Sequence, residues 1–166
     1  MLADDRADDN ADGSELWRLL RSLDDPERLE HPAGFDAVRE RDRFERLALR
    51  IEAEFGRGCE VDRQVQDASL LGRIVVPGPA TSTGRPLVVS VSNFGGLAVL
   101  TTTGTGGPAA PSPVDPRDEE IVAAALRDLG YTPIPEEPLR RRYDGSAGRR
   151  AFGPRGTWWT RFFDYL

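Results

Sequence analysis

The chain has 166 residues, of which 30% are charged, and a formal net charge of −6 at pH 7. A chain of this length predicts one domain with a hydrophobic core of its own. The single cysteine excludes an internal disulfide, and the apolar runs are too short to span a bilayer. We therefore expect a soluble cytoplasmic protein without a membrane partner.

The acidic residues are concentrated near the amino terminus. The first thirty residues hold ten acids and four arginines, which leaves eighteen acids and eighteen arginines in the rest. Residues 1–13 are highly charged and poor in apolar side chains, so we expect a disordered acidic tail before a single domain over residues 14–166. An acidic tail on a neutral body argues against nucleic-acid binding, which requires a basic surface that neutralises phosphates.

Two amphipathic helices are predicted before the first strand. Ser14 is a suitable N-cap for the first helix, whose leucines recur at helical spacing as far as Leu23. The second helix is predicted from about Asp36 to Phe55, and Gly56 suits the position that follows its last turn.

Four consecutive strands are predicted over residues 59–66, 70–76, 87–92 and 97–101. Apolar and polar residues alternate in all of these runs except the second, which indicates strands with one face in water. The sequence Asn-Phe-Gly-Gly at residues 93–96 favours a tight hairpin connection, because asparagine and glycine tolerate positive φ angles. These runs predict a four-stranded antiparallel meander.

A third helix is predicted after a loop rich in proline and glycine, with Asp115 as its N-cap and Pro116 at its first position. Residues 131–134 are expected to form a short edge strand, since Pro133 and Pro135 lack an N–H. A short helix should end the chain, because its apolar residues share one face: Trp158, Trp159, Phe162, Phe163 and Leu166.

Taken in order, these elements predict an α+β fold in which helices pack mainly on one face of the antiparallel sheet.

The sequence contains few candidates for catalysis or metal binding. His31 is the only histidine, and no cysteine or carboxylate cluster lies near it at ligand spacing. Cys59 lies on the apolar side of a predicted strand, where a buried thiol is the usual outcome. The glycines of residues 104–107 match neither a P-loop nor the dinucleotide-binding fingerprint. We therefore predict no catalytic residue, no metal site and no cofactor.

Arginines and aromatic residues are concentrated near the carboxyl terminus. All 22 basic residues of the chain are arginine, and residues 136–166 carry seven of them against four acids. Three roles are open to this cluster: ion pairing within the protein, nucleic-acid binding, and contact with an acidic protein partner. The residues predicted to contact a protein partner are Arg141, Arg142, Tyr143, Arg150, Trp158 and Arg161.

These features predict a non-enzymatic protein-binding module. In general type the chain resembles small bacterial proteins that bind another protein, such as immunity proteins that inhibit toxins, adaptors and secretion chaperones. The alternative is a small enzyme that uses carboxylates and arginine on an anionic or sugar-like substrate. Its candidate acid pairs are Asp62 with Asp67 and Glu136 with Glu137, and it requires a deep pocket holding two acids and an arginine.

Overall fold

The computed structural model describes residues 7–66, 68–102, 113–148 and 150–164, with residues 7–12 described by their backbone alone. In these ranges the α-helices are α1 (Ala7–Leu23), α2 (Ala37–Phe55), α3 (Pro116–Asp128) and α4 (Trp158–Phe163). The strands are β1 (Glu60–Asp62), β2 (Leu70–Val76), β3 (Leu87–Ser92), β4 (Leu97–Thr101) and β5 (Thr132–Pro133). Two short 3-10 turns occupy Gly78–Ala80 and Glu137–Arg140. The fold class is α+β, as predicted.

The five strands form one mixed sheet in the order β1-β2-β3-β4-β5. The first four are antiparallel neighbours in chain order, which confirms the predicted meander, and β5 adds a fifth strand parallel to β4. Strand β1 is shorter than the predicted run over residues 59–66. The chain turns after Asp62, whose side chain accepts a hydrogen bond from the backbone N–H of Gln64 at 3.3 Å.

Strand β5 lies at the edge of the sheet, and its outward side offers no backbone N–H group at Pro133 to a further strand. The N–H groups of Thr132 and Ile134 donate to Gly96 and Ala98 of the β4 side, each at 2.9 Å. Pro133 lies between them, so the backbone position that faces away from β4 has no N–H. This edge is thereby protected from pairing with another strand.

The predicted boundaries of α2 and α3 are confirmed by their caps. Asp36 accepts a hydrogen bond from the N–H of Arg39, and Gly56 follows α2 in the left-handed region with φ of 65°. Asp115 accepts from the N–H of Arg117, with Pro116 at the first position of α3.

Helix α1 begins at Ala7, seven residues before the Ser14 predicted as its N-cap. Acidic residues in the first turns of a helix are stabilised by the positive end of its dipole, which is a physical reason for the longer helix. The predicted disordered tail over residues 1–13 therefore overlaps α1 from Ala7 onward, and residues 1–6 lie outside the described residues. The division into a tail and one domain over residues 14–166 stays a prediction.

Helices cover both faces of the sheet, which corrects the expectation that they lie mainly on one face. The first face packs against α2 and α3 through a core that includes Leu47, Val89 and Val122. The opposite face packs against α1 and α4 through a second core that includes Leu20 and Phe162. The alternation of apolar and polar residues in β3 predicted a wet face, yet every residue of that strand is buried.

Ser92 of β3 tolerates burial because its side chain is short and hydrogen-bonded to nearby backbone. The hydroxyl of Ser92 donates to the carbonyl of Ser69 at 3.4 Å and accepts from the N–H of Phe94 at 3.1 Å. A serine whose hydroxyl is paired in this way loses little when it leaves water. Among the described helices, none is both long and apolar enough to cross a lipid bilayer.

Candidate functional site

Arg161 lies in the interior of the protein, with no exposed surface. Its Nε donates to Oδ1 of Asp24 at 2.6 Å, and both side chains are buried. The other guanidinium nitrogens donate to three backbone carbonyls of the segment that follows α1, at 3.1–3.2 Å, namely those of Asp25, Arg28 and Leu29. The guanidinium also lies over the rings of Phe94 and Phe162, at 4.4 and 4.9 Å from their centroids. Each nitrogen of the guanidinium thus donates at least one hydrogen bond, to Asp24 or to a backbone carbonyl.

The second carboxylate oxygen of Asp24 binds a segment far along the chain. Oδ2 accepts from the hydroxyl of Tyr143 at 2.7 Å and from the N–H of Ser146 at 2.8 Å. The same hydroxyl accepts from the N–H of Ala147 at 3.0 Å. Burial, followed by the hydrogen bond to Asp24, raises the pKa of Tyr143 to about 12, so the hydroxyl keeps its proton near neutral pH.

The segment bound by Asp24 belongs to a closed loop, residues 141–157, that we call the arginine loop. Its two ends pair with each other: Arg142 and Thr157 form a β-bridge, and the N–H of Tyr143 donates to Gly156 at 2.9 Å. The ring of Tyr143 packs edge-on against Phe152, with 4.8 Å between centroids. The loop contains five arginines and one acid in sequence, and the structure describes all of these except Arg149.

Four arginines of this loop are exposed, and none of them forms an ion pair within the described residues: Arg141, Arg142, Arg150 and Arg155. The guanidinium of Arg141 lies over the ring of Trp17 in α1, at 4.8 Å from its centroid. Arg142 donates to the carbonyl of Pro154 at 3.2 Å, which places its charge beside Arg155 in the chain.

The only acid of the arginine loop, Asp144, is occupied by other partners. Its carboxylate accepts from Nε1 of Trp158 at 3.1 Å and lies 3.3 Å from Nη2 of Arg21. Burial opposes ionisation of Asp144, but the contacts with Trp158 and Arg21, together with the charge of Arg141, outweigh it and lower the pKa of the carboxyl. In α2, Arg43 and Arg50 pair with carboxylates of the same helix, whereas the exposed Arg39 and Arg41 form no ion pair within the described residues. Asp144 also attracts Arg141 electrostatically, but within the described residues no carboxylate lies at ion-pair distance from any of the four exposed arginines of the arginine loop.

The six predicted partner contacts differ in exposure, and their role as partner contacts stays a prediction. Arg141, Arg142 and Arg150 lie on the surface as expected, whereas Tyr143, Trp158 and Arg161 are at most 3% exposed and have almost no surface to offer a partner. Trp17, which supports Arg141, was missed. The sequence does contain a signal for Trp17: it lies four residues before Arg21, which places both residues on the same side of α1.

The remaining sequence candidates lie apart from this loop. The ring of His31 is exposed and stacks on Phe35 at 5.2 Å between centroids. Cys59 is half-buried, and burial together with the charge of Glu52 raises the pKa of its thiol. Residues 104–107 lie outside the described residues. Among the residues that the structure describes, no group of three histidine, cysteine or acidic side chains is placed to hold a metal ion.

Of the two acid pairs of the enzyme alternative, only Glu136 with Glu137 lies wholly within the described residues. Asp67 lies outside the described residues, and Glu136 forms an ion pair with Arg140 at 2.9 Å. A depression between α2 and α3 does combine two acids with two arginines, namely Glu54, Glu120, Arg50 and Arg117. The side chains of its acids are 40% and 73% exposed, so water reaches both carboxylates.

Replacing Gly145 by alanine should lower the free energy of unfolding by about 1–3 kcal/mol. A Cβ at this position would overlap the carboxylate of Asp24 and would lie 2.6 Å from ring carbons of Tyr143. Gly58→Ala is the matched control, because a Cβ there meets nothing within 4 Å. Thermal denaturation of the two variants should show a lower Tm for Gly145→Ala alone, and equal Tm values would contradict this packing.

Comparisons of the chain with protein-family models, curated proteins and solved structures found no match. A fold of itself does not specify a function, so the function is argued from the side chains of the site.

Proposed function

We propose that this chain is a protein-binding module, and that the arginine loop together with Trp17 contacts an acidic surface of the partner. The observation that carries this proposal is a set of four exposed arginines on one loop, none of which has a carboxylate at ion-pair distance among the described residues. The most specific form of the proposal is an inhibitor of the immunity type, and the wider form includes small adaptors and chaperones.

The chemistry of arginine supports an acidic partner. The planar guanidinium donates two parallel hydrogen bonds to one carboxylate, and it gives up its hydration more readily than an ammonium group does. Arg141 is already held over the ring of Trp17, which restricts its side chain before any partner arrives. Tryptophan and arginine are among the residues that contribute most to protein interfaces, particularly where a loop is rigid before binding.

The charge of the whole chain favours a protein over a nucleic acid as the partner. The net charge of −6 repels a long polyanion, while an acidic patch on a protein interacts mainly with the loop itself. Opposite charges across such an interface also accelerate association at low ionic strength.

The test compares two variants of equal charge in a pull-down from the lysate of the source cell. One variant is Arg141→Ala/Arg142→Ala/Arg150→Ala, and the control is Arg39→Ala/Arg57→Ala/Arg117→Ala, which removes three exposed arginines outside the loop. Wild type and the control should retain one dominant protein at near-equal stoichiometry. The loop variant should lose roughly tenfold or more in affinity, as expected when interface arginines are removed.

Two results would contradict the proposal. Equal retention of the partner by both variants would show that the loop is not the contact surface. Recovery of nucleic acid instead of a protein, with binding that weakens steeply as salt rises, would replace the protein partner by a polyanion.

A further inference from the structure

We infer that Asp24 is a positioning residue that holds the arginine loop in the conformation in which it binds its partner. This inference rests on the function proposed above and adds the group that prepares the surface. Asp24 itself is 5% exposed, so it acts on the loop and not on the partner.

The two oxygens of Asp24 connect three separate parts of the chain. Oδ1 is fixed by Arg161 of α4, and Oδ2 accepts from Tyr143 and Ser146, which lie 119 and 122 residues further along the chain. Asp24 directly follows α1, the helix that carries Trp17. The carboxylate therefore sets the position of the first half of the arginine loop relative to the helix on which Arg141 rests.

A loop of this composition needs such an anchor. Residues 141–157 contain four glycines, and the described part of this range contains no regular helix; Gly148 and Gly153 have φ angles of 78° and 71°. Glycine has the largest backbone freedom to lose, so an unanchored loop would have to be ordered during binding at a cost in affinity. Because of the contacts to Asp24, the loop loses this conformational entropy when the protein folds and not when the partner binds.

The hydroxyl of Tyr143 links Asp24 to the backbone of the arginine loop through two hydrogen bonds. It donates to Asp24 and accepts from the N–H of Ala147, while the ring packs independently against Phe152 and Trp158. Tyr143→Phe removes the hydroxyl and retains the ring packing, so it isolates the positioning effect. Tyr131→Phe is the matched control, because Tyr131 is equally buried and belongs to the other core, where Arg43 lies over its ring. Among the described residues its hydroxyl has no partner at hydrogen-bond distance.

The experiment measures two properties of the full chain for wild type, Tyr143→Phe and Tyr131→Phe. The first is the amide exchange rate of Ala147 by NMR, which should rise roughly tenfold or more in Tyr143→Phe and stay unchanged in the control. The second is the affinity for a deca-glutamate peptide at low salt, followed by tryptophan fluorescence. It should fall roughly fivefold in Tyr143→Phe and remain at the wild-type value in Tyr131→Phe.

The outcomes separate this inference from the proposed function. An unchanged exchange rate at Ala147, or wild-type affinity in Tyr143→Phe, overturns the role of Asp24 even where the triple arginine variant no longer binds the peptide. If wild type and the triple arginine variant bind the peptide equally, or neither binds it, the proposed function fails. The exchange rate then still decides whether Asp24 holds the loop.

Discussion

Replacing Arg161 by alanine should lower the free energy of unfolding by about 3–5 kcal/mol, the usual cost of removing one partner from a buried ion pair. The substitution leaves the carboxylate of Asp24 buried without its cation. It also removes the donors that three backbone carbonyls use, and it opens space between the rings of Phe94 and Phe162. Urea unfolding measures the difference.

The matched control for this prediction is Arg46→Ala in α2. Arg46 pairs with Asp42 at 3.5 Å, but both side chains are mostly exposed, at 59% and 72%. An exposed pair of this kind contributes less than about 1 kcal/mol, since water and salt screen it. Similar losses in the two variants would mean that the Asp24–Arg161 pair is not buried in solution.

Trp158→Ala should cost about 3–5 kcal/mol of stability, as is usual for removing a large buried aromatic side chain. Trp158 is fully buried and its ring meets those of Trp17, Tyr143 and Phe162 at 4.9–6.0 Å between centroids. Its Nε1 also donates to Asp144, so the variant weakens the base of the arginine loop.

The neighbouring substitution Trp159→Ala is the control and should cost about 1–2 kcal/mol, because a partly exposed side chain has less area to lose from the interior. Trp159 is half-buried and stacks on Phe163 at 5.0 Å between centroids. The sequence pattern placed both tryptophans on one apolar face of α4, whereas the structure buries them to different extents. Chemical denaturation that ranked Trp159→Ala as the more damaging change would contradict the orientation of α4.

Local signals in the sequence were sufficient for most of the elements. The helical pattern from about Asp36 marked the start of α2, and capping by Asp115 marked the start of α3. Both signals involve residues close to each other in the chain. The runs of β-branched residues marked β2, β3 and β4 for the same reason, since strand character depends on the nearest residues. The edge position of β5 followed from the proline that it contains.

The burial of polar residues depends on distant parts of the chain, and local sequence patterns did not predict it. Ser90 and Ser92 indicated a wet face on β3, yet α4 packs over that side of the sheet, and a buried serine is allowed wherever a backbone group pairs with it. Whether a polar side chain faces water depends on what covers it. A polar residue in an alternating strand therefore does not predict on which faces of a sheet the helices will lie.

The candidate site shows the same division. That arginines and aromatic residues concentrate near the carboxyl terminus is a property of the composition, readable without any coordinates. Which of them reach the surface depends on partners far away in the chain. Arg161 is buried against Asp24, which lies 137 residues earlier in the chain. Arg141 is exposed and lies over Trp17 of α1. The charge of an arginine follows from its side chain, but its burial follows from whether the fold brings a carboxylate and backbone carbonyls to it.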